Sequence, residues 1–211
     1  IIRKIKTYAE KKEIMSKIVK ETLSKKNINK KKIGKVYIVG AGPGDPELIT
    51  AKGFRVLQDA DIILHDALIH PHLVFEINSN AKKIFVGKRQ DKHSVSQEAI
   101  HSIMLEEAAK GHNVVRLKGG DPFIFGRGGE EISALAKKKI PFEVIPGISA
   151  GIGASASFGI PLTHRKDAEG VLFITGHQCE KSIPQDWHIL AKLQSTLVFY
   201  MGARKLKEIV I

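Results

Sequence analysis

Cysteine is nearly absent from this sequence, with Cys179 as its single representative among 211 residues. No internal disulfide is therefore possible, and a reducing cytoplasm is the default compartment. No apolar run approaches the roughly 18 residues that a membrane-spanning helix needs, and the first residues have no apolar core of the signal-peptide kind. The apolar share of 43% and the charged share of 27% are ordinary for a globular protein, and we expect no membrane partner.

Arginine and aromatic residues are scarce where the positive charge is concentrated. The formal net charge is +12, but residues 1–32 carry twelve basic residues against three glutamates, which leaves 22 basic and 19 acidic residues elsewhere. Eleven of those twelve are lysines, and Tyr8 is the one aromatic residue among them. A nucleic-acid-binding arm is an alternative. The pattern favours a solvated lysine-rich helix, and we expect no nucleic-acid partner.

Residues 8–26 predict an amphipathic helix, and residues 27–32 read as a linker. Because one amphipathic helix cannot bury its own apolar stripe, we expect the segment 1–32 to pack on a partner chain or on an upstream domain. The stripe consists of Met15, Ile18, Val19 and Thr22.

From Ile33 onward, short β-branched runs alternate with helical segments, which predicts an α/β domain with a mostly parallel sheet over residues 33–145. After Pro146 the pattern restarts with only two further runs. Two strands are too few for an independent sheet, so residues 146–211 are predicted to be a second α/β domain that is cut short. The predicted strands are 35–39, 62–64, 83–86, 114–117, 142–145, 171–175 and 196–201.

Several residue pairs predict where helices begin and end. Asp45 followed by Pro46 is a favoured helix start. Ser94 and Gln97 have capping-box spacing, and Gly111 is placed to end the helix that follows them. A further helix is predicted from Glu130.

Two glycine-rich loops carry the strongest functional signal. Residues 40–46 follow the first predicted strand, and residues 119–131 follow the fourth. Glycine lets the backbone adopt positive φ and approach a ligand closely, so both loops predict a binding site at the ends of strands. A dinucleotide fingerprint would need glycine at position 45, where Asp45 stands and would repel a pyrophosphate. A nicotinamide or flavin site is therefore disfavoured.

Six motifs in order resemble those of the uroporphyrinogen-III C-methyltransferases: 39–50, 116–131, 144–150, 159–165, 173–177 and 199–202. The resemblance covers essentially all of residues 34–211. It implies two α/β domains with a cleft between them for S-adenosyl-methionine, which is released as S-adenosyl-homocysteine. Residues 8–26 weakly resemble the end of the dimerisation region that precedes this module in siroheme synthases, which implies a homodimer.

The resemblance also implies roles for individual residues. Asp66 matches the base that removes a proton from the alkylated substrate, and Lys88 matches the proton donor. From the residues alone, a helix or turn cap is the alternative for Asp66, and a surface cation that binds a substrate carboxylate is the alternative for Lys88. Ser149 departs mildly from the family pattern, because threonine is more common there. The implied cofactor-binding residues are Pro43, Gly119, Gly120, Asp121, Ile124, Ser149, Ala150 and Met201. Arginine and other cations in loops suit the substrate's carboxylates, and those predicted to bind it are Arg89, Lys118, Arg127, His164 and Arg165.

The implied reaction is methylation of two ring carbons of uroporphyrinogen III, giving precorrin-1 and then precorrin-2 for siroheme or cobalamin. A methyltransferase of the same fold acting on a later corrin precursor, and a non-catalytic dimerising or binding remnant, stay open as alternatives. His164 and His177 show no metal-ligand spacing with each other or with Cys179, so no metal is predicted.

Overall fold

Five parallel strands form the main sheet, in the order β3-β2-β4-β1-β5. The computed structural model of the chain describes residues 33–87, 95–176 and 187–209. The predicted α/β fold with a mostly parallel sheet is confirmed, and each strand lies within one residue of its predicted bounds. The strands are β1 Val36–Gly40, β2 Ile62–His65, β3 Lys82–Phe85, β4 Val114–Lys118 and β5 Phe142–Ile145.

A second sheet pairs two parallel strands, β6 Gly170–Thr175 and β7 Ser195–Tyr200. In the part of the chain that the structure describes, this sheet has no third strand. None of the described helices is long and apolar enough to cross a membrane. The helices are α1 Ala51–Gln58, α2 Pro71–Phe75, α3 Gln97–Ala109, α4 Gly128–Lys137, α5 Ala150–Ser157, α6 Trp187–Ala191 and α7 Leu206–Ile209.

Two helices begin at other residues than the sequence predicts. Asp45 does cap a turn by accepting a hydrogen bond from the Glu47 amide, but that turn is a three-residue 3-10 helix. The longer helix α1 begins afterwards, where the Thr50 hydroxyl accepts from the Gly53 amide. Helix α3 is capped by Ser96 and not by Ser94, which lies outside the described residues. The nearer serine reaches the amide at the third helical position, the usual capping geometry.

Helices cover both faces of the main sheet, because successive strand residues point to opposite sides. On one face, Val39, Val115 and Leu117 pack with Leu57 of α1 and Leu73 of α2. On the other face, Val36, Ile38, Ile62 and Val114 pack with Met104 of α3 and Leu135 of α4. The face with α3 and α4 therefore also receives Arg116 and Lys118, the remaining alternate residues of β4. This placement decides the chemistry of the site.

Three loops meet in direct backbone contact at glycines. A Cβ built on Gly147 would overlap the Gly120 carbonyl oxygen and the backbone of Gly40. We expect Gly147→Ala to destabilise the fold by roughly 1–3 kcal/mol, as overpacking does, measured by urea unfolding. Gly129→Ala is the matched control, because a Cβ there meets no atom within 4 Å. A Gly147→Ala midpoint equal to that of the control would show that the loops separate without cost.

Glu143 on β5 contributes stability that depends on pH. Its carboxylate pairs with Lys35 at 2.6 Å and with Lys52, and these two ammonium groups lower its pKa from 4.5 to about 2. A depressed folded-state pKa means that the stabilisation is present above pH 4.5 and is lost as the pH falls towards 2. Because all three groups are partly solvated, we expect Glu143→Gln to cost only about 0.5–1 kcal/mol at pH 7. Unfolding titrations of both proteins should converge near pH 2; a constant difference would contradict the assignment.

Candidate functional site

The loops after β1 and β4 lie side by side at the carboxyl edge of the main sheet. The chain runs from β1 to one side of the sheet and later from β4 to the other, so these adjacent strands form a topological switch point, where open α/β sheets bind ligands. The Gly120 amide donates to the Gly42 carbonyl at 2.7 Å, and the return bond is 3.3 Å. Both glycines have positive φ, +83° at Gly42 and +67° at Gly120. The loops thus form the floor of a cleft.

A cavity of about 440 Å³ opens above this floor. Its volume lies within the roughly 300–1,000 Å³ typical of small-molecule sites. A larger, more open concavity of about 860 Å³ lies between α1 and α2, and none of the predicted site residues lines it. The 440 Å³ cavity is lined by Gly42, Pro43, Asp66, Leu68, Gln97, Arg116, Lys118, Gly119, Gly120, Ile124, Phe125, Gly126, Arg127, Ser149, Ala150, Tyr200 and Met201.

Three cavity-lining residues other than glycine hold left-handed backbone: Phe125 at φ +52°, Arg127 at +56° and Met201 at +57°. Such conformations cost of order 1–3 kcal/mol and cluster at ligand sites. Phe125 and Met201 are partly exposed, and the Phe125 ring lies 4.9 Å from the Tyr200 ring. The cavity mouth therefore has an apolar rim that the local backbone holds in place.

Four charged side chains form a connected set at one wall of the cavity; three of them line it and the fourth lies behind them. Arg116 Nη2 lies 3.5 Å from Asp66 Oδ2, and Arg116 Nε lies 3.1 Å from Glu131 Oε1. The same Glu131 oxygen accepts from Lys118 Nζ at 3.1 Å. Arg116, Lys118 and Glu131 are each at least nine-tenths buried. Burial and the neighbouring Arg116 lower the pKa of Lys118, against the opposing influence of Glu131 and Asp66.

Tyr200 connects the second sheet to the cavity. Its hydroxyl accepts from the Gly151 amide at 2.8 Å and lies 2.6 Å from the Ser149 hydroxyl. Since Gly151 belongs to the first turn of α5, these bonds hold the end of β7 against the start of that helix. Met201, the next residue, is thereby placed at the cavity mouth.

The chain matches the Tetrapyrrole (Corrin/Porphyrin) Methylases family over residues 35–210. It belongs to the tetrapyrrole methylase family. A siroheme synthase of Photorhabdus laumondii is 54% identical over 172 residues, and one of Baumannia cicadellinicola is 53% identical over 171 residues. These alignments cover 82% and 81% of this chain but 37% of each relative, so the chain spans little more than a third of their length.

Three solved structures are similar to the chain in fold, with TM-scores from 0.67 to 0.74. The uroporphyrin-III-C-methyltransferase of Thermus thermophilus is 42% identical with a TM-score of 0.67, and the match covers 82% of this chain and 70% of that one. A structure of that enzyme complexed with S-adenyl homocysteine matches with the same identity and TM-score, over 82% and 72%. A cobalt precorrin-4 methyltransferase is 28% identical with a TM-score of 0.74, over 87% and 75%.

Most of the predicted site residues of the chain converge on the 440 Å³ cavity. Asp66 lines it and also caps a turn, since its Oδ1 accepts from the Leu68 amide at 3.0 Å. Lys118 lines it, but as the buried last residue of β4, where a loop had been expected. Arg127 lines it while forming two bonds with Glu130, at 2.8 and 2.6 Å. The predicted cofactor residues on the cavity wall are Pro43, Gly119, Gly120, Ile124, Ser149, Ala150 and Met201.

The remaining predicted residues that the structure describes lie outside the cavity wall. The Asp121 carboxylate joins the loops after β4 and β5, because it accepts from the Phe123 and Gly147 amides at 2.8 and 3.1 Å. His164 is exposed and pairs with Asp167 at 2.5 Å, and neither it nor Arg165 lines the cavity. Lys88 and Arg89 lie outside the described residues. Within the described ranges, no group of three or more His, Cys, Asp or Glu could hold a metal ion.

Sequence reasoning missed Arg116, Glu131, Tyr200 and Phe125. A signal for the first two was present: charged residues at alternating positions of an otherwise apolar strand must share one buried face, which requires a buried counter-charge. No comparable signal pointed to Tyr200, because its contact with Gly151 joins residues about fifty positions apart.

Proposed function

We propose that this chain is a uroporphyrinogen-III C-methyltransferase module that uses S-adenosyl-methionine to methylate a tetrapyrrole. One observation carries the proposal: seven of the eight residues predicted to bind the cofactor line the same cavity as Asp66, the predicted base. These residues come from loops after β1, β4 and β5 and from the end of β7. The proposal includes a domain boundary between residues 145 and 146, a cytoplasmic location and a homodimer.

The residues of the cavity fit such a cofactor. Glycine backbone at Gly119 and Gly120 allows a ligand to approach the loop closely, and Pro43, Ile124 and Met201 supply apolar surface. S-adenosyl-methionine, when bound, supplies an electrophilic methyl group on sulfur and leaves as S-adenosyl-homocysteine.

The chain's own residues then have three tasks. They hold the substrate carbon in line with the methyl group, a positioning effect that can supply most of the acceleration. They accept the proton that leaves the newly methylated ring carbon, for which Asp66 is placed on the cavity wall. They bind the substrate carboxylates, for which Lys118 and Arg127 line the cavity and Lys88, Arg89, His164 and Arg165 are the further predicted cations.

The test is to incubate the chain with uroporphyrinogen III and methyl-labelled S-adenosyl-methionine. We expect two labelled methyl groups per tetrapyrrole, an intermediate with one, and absorption of precorrin-2 or its oxidised form. Cofactor binding by calorimetry without methyl transfer would favour the non-catalytic remnant. The names of the 53–54% identical relatives favour siroheme as the end product.

A later corrin precursor is the second candidate substrate, because the cobalt precorrin-4 methyltransferase has the higher TM-score, 0.74 against 0.67. Its identity of 28% against 42% favours uroporphyrinogen III. Offering both substrates in parallel decides between them, since only the correct macrocycle gains a labelled methyl group.

A further inference from the structure

Glu131 is a fully buried carboxylate next to the cavity. It belongs to the first turn of α4 and has no solvent exposure. Its Oε1 accepts from Arg116 Nε, from Lys118 Nζ and, at 3.4 Å, from Gln97 Nε2. Its Oε2 is buried with no hydrogen-bond partner among the described residues. Buried ion pairs stabilise folds little compared with apolar packing, so this carboxylate calls for a functional explanation.

The partners of Glu131 all face the cavity. Arg116, Lys118 and Gln97 line it, whereas Glu131 lies behind them. Because one oxygen serves both cations, the carboxylate fixes the position of Arg116 and Lys118 together. Arg116 in turn lies next to Asp66. Glu131 therefore lies one layer behind the wall and contacts two of its four charged residues, Arg116 and Lys118.

We infer that Glu131 is a positioning residue: its carboxylate holds the Arg116 guanidinium and the Lys118 ammonium in place on the cavity wall. This deepens the proposed function and rests on it, since a charged wall serves catalysis only if a polycarboxylate substrate enters the cavity. Glu131 does not touch that substrate; it acts through the two cations in front of it.

The direction of the effect follows from the groups around Lys118. The described charged groups with the largest influence on its pKa are Arg116 on its own strand, Glu131 on α4 and Asp66 after β2, and Glu130 on α4 also interacts with it. Burial and Arg116 lower the pKa of Lys118, while Glu131 and Asp66 raise it. Removing the charge of Glu131 leaves the lowering influences less opposed. Lys118 then loses its proton at a lower pH.

Nitrogen NMR of the side-chain amines in lysine-labelled full chain tests this without any activity measurement. The Lys118 signal is the one that Lys118→Arg removes. We expect Glu131→Gln to lower the Lys118 titration midpoint by about one to three pH units, the size of shift that a close opposite charge produces. Glu131→Asp, which keeps the charge but withdraws it by one methylene, should give a smaller shift in the same direction and serves if the glutamine variant does not fold.

Glu107→Gln is the matched control. Glu107 is also a buried glutamate with basic partners, Lys110 at 2.9 Å, His112 at 2.8 Å and Lys82 at 4.0 Å, but it lies on α3 away from the cavity. Its replacement should leave the Lys118 midpoint unchanged. A folded Glu131→Gln protein, or Glu131→Asp in its place, with the unaltered midpoint would overturn the inference.

Kinetics give an independent second readout. If the chain methylates its substrate, Glu131→Gln should move the alkaline limb of kcat/KM to lower pH and raise KM for the tetrapyrrole more than it lowers kcat. Lys118→Arg, which stays charged, should remove that limb. A chain without methyl transfer would contradict the proposed function while the NMR titration still decides the role of Glu131; an unshifted limb in an active Glu131→Gln protein would overturn that role.

Discussion

Asp66→Asn is expected to lower kcat for methyl transfer by roughly 10²–10⁴-fold, the usual contribution of a positioned general base. The physical reason is that an amide cannot accept the proton that leaves the methylated ring carbon. The substitution keeps the second function of the residue, because an asparagine Oδ1 can still accept from the Leu68 amide. Folding should therefore be nearly unchanged, and cofactor affinity measured by calorimetry should stay within about twofold, well under the 1.4 kcal/mol of a tenfold change.

The control for this variant lies at the other end of the same strand. Asp61 precedes β2, and its carboxylate accepts from the Asn113 amide at 2.7 Å, so Asp61→Asn makes the same chemical change outside the cavity. We expect it to retain full activity. Full activity of a correctly folded Asp66→Asn protein would remove the base assignment and leave Asp66 as a turn cap beside Arg116.

Asp66 shows why the sequence alone leaves two interpretations open. The same carboxylate caps the turn with one oxygen and lies 3.5 Å from the Arg116 guanidinium with the other. A residue at the end of a strand is at once where turns need caps and where α/β proteins place their ligands. One carboxylate can serve in both roles, so evidence for one is not evidence against the other.

The strands were predictable because their signal is local. Buried parallel strands are short β-branched runs, and each predicted run lies within one residue of an observed strand. Helix starts were less predictable, since several residues near one another can cap. Ser96 caps α3 although Ser94 has the better motif spacing, and the Asp45–Pro46 start yields only a 3-10 turn.

The site was predictable only in its backbone. The glycine-rich loops after β1 and β4 predict a ligand cleft, because glycine adopts positive φ and lets the backbone approach a ligand closely. The charged wall depends on which side chains meet across elements: Glu131 of α4 reaches Arg116, fifteen residues earlier. The sequence predicts Lys118 in a loop at the carboxyl edge of the sheet, yet it ends a central strand and is 6% exposed. Burial of that kind is a property of the sheet order, which no single segment encodes.

Gly120→Ala is expected to weaken S-adenosyl-methionine binding by about tenfold to a hundredfold, or 1.4–2.8 kcal/mol, in isothermal titration calorimetry. Gly120 has φ +67°, and a Cβ built on it has the Ala150 amide nitrogen and Ser149 Cα as its nearest neighbours, at 3.7 and 3.8 Å. Those neighbours are themselves cavity-lining residues. The added methyl group therefore occupies space that the proposal assigns to the ligand.

A second glycine with the same φ separates the effect of backbone strain from the effect of filling the cavity. Gly159 has the same φ of +67°, and a Cβ on it meets no atom within 4 Å. Gly159→Ala thus imposes the same left-handed strain, about 1–2 kcal/mol of stability, at a position outside the cavity. We expect both variants to unfold at similar urea concentrations and only Gly120→Ala to lose cofactor affinity. Equal affinities would place the ligand away from the loop after β4, because a methyl group at Gly120 could not then share its space.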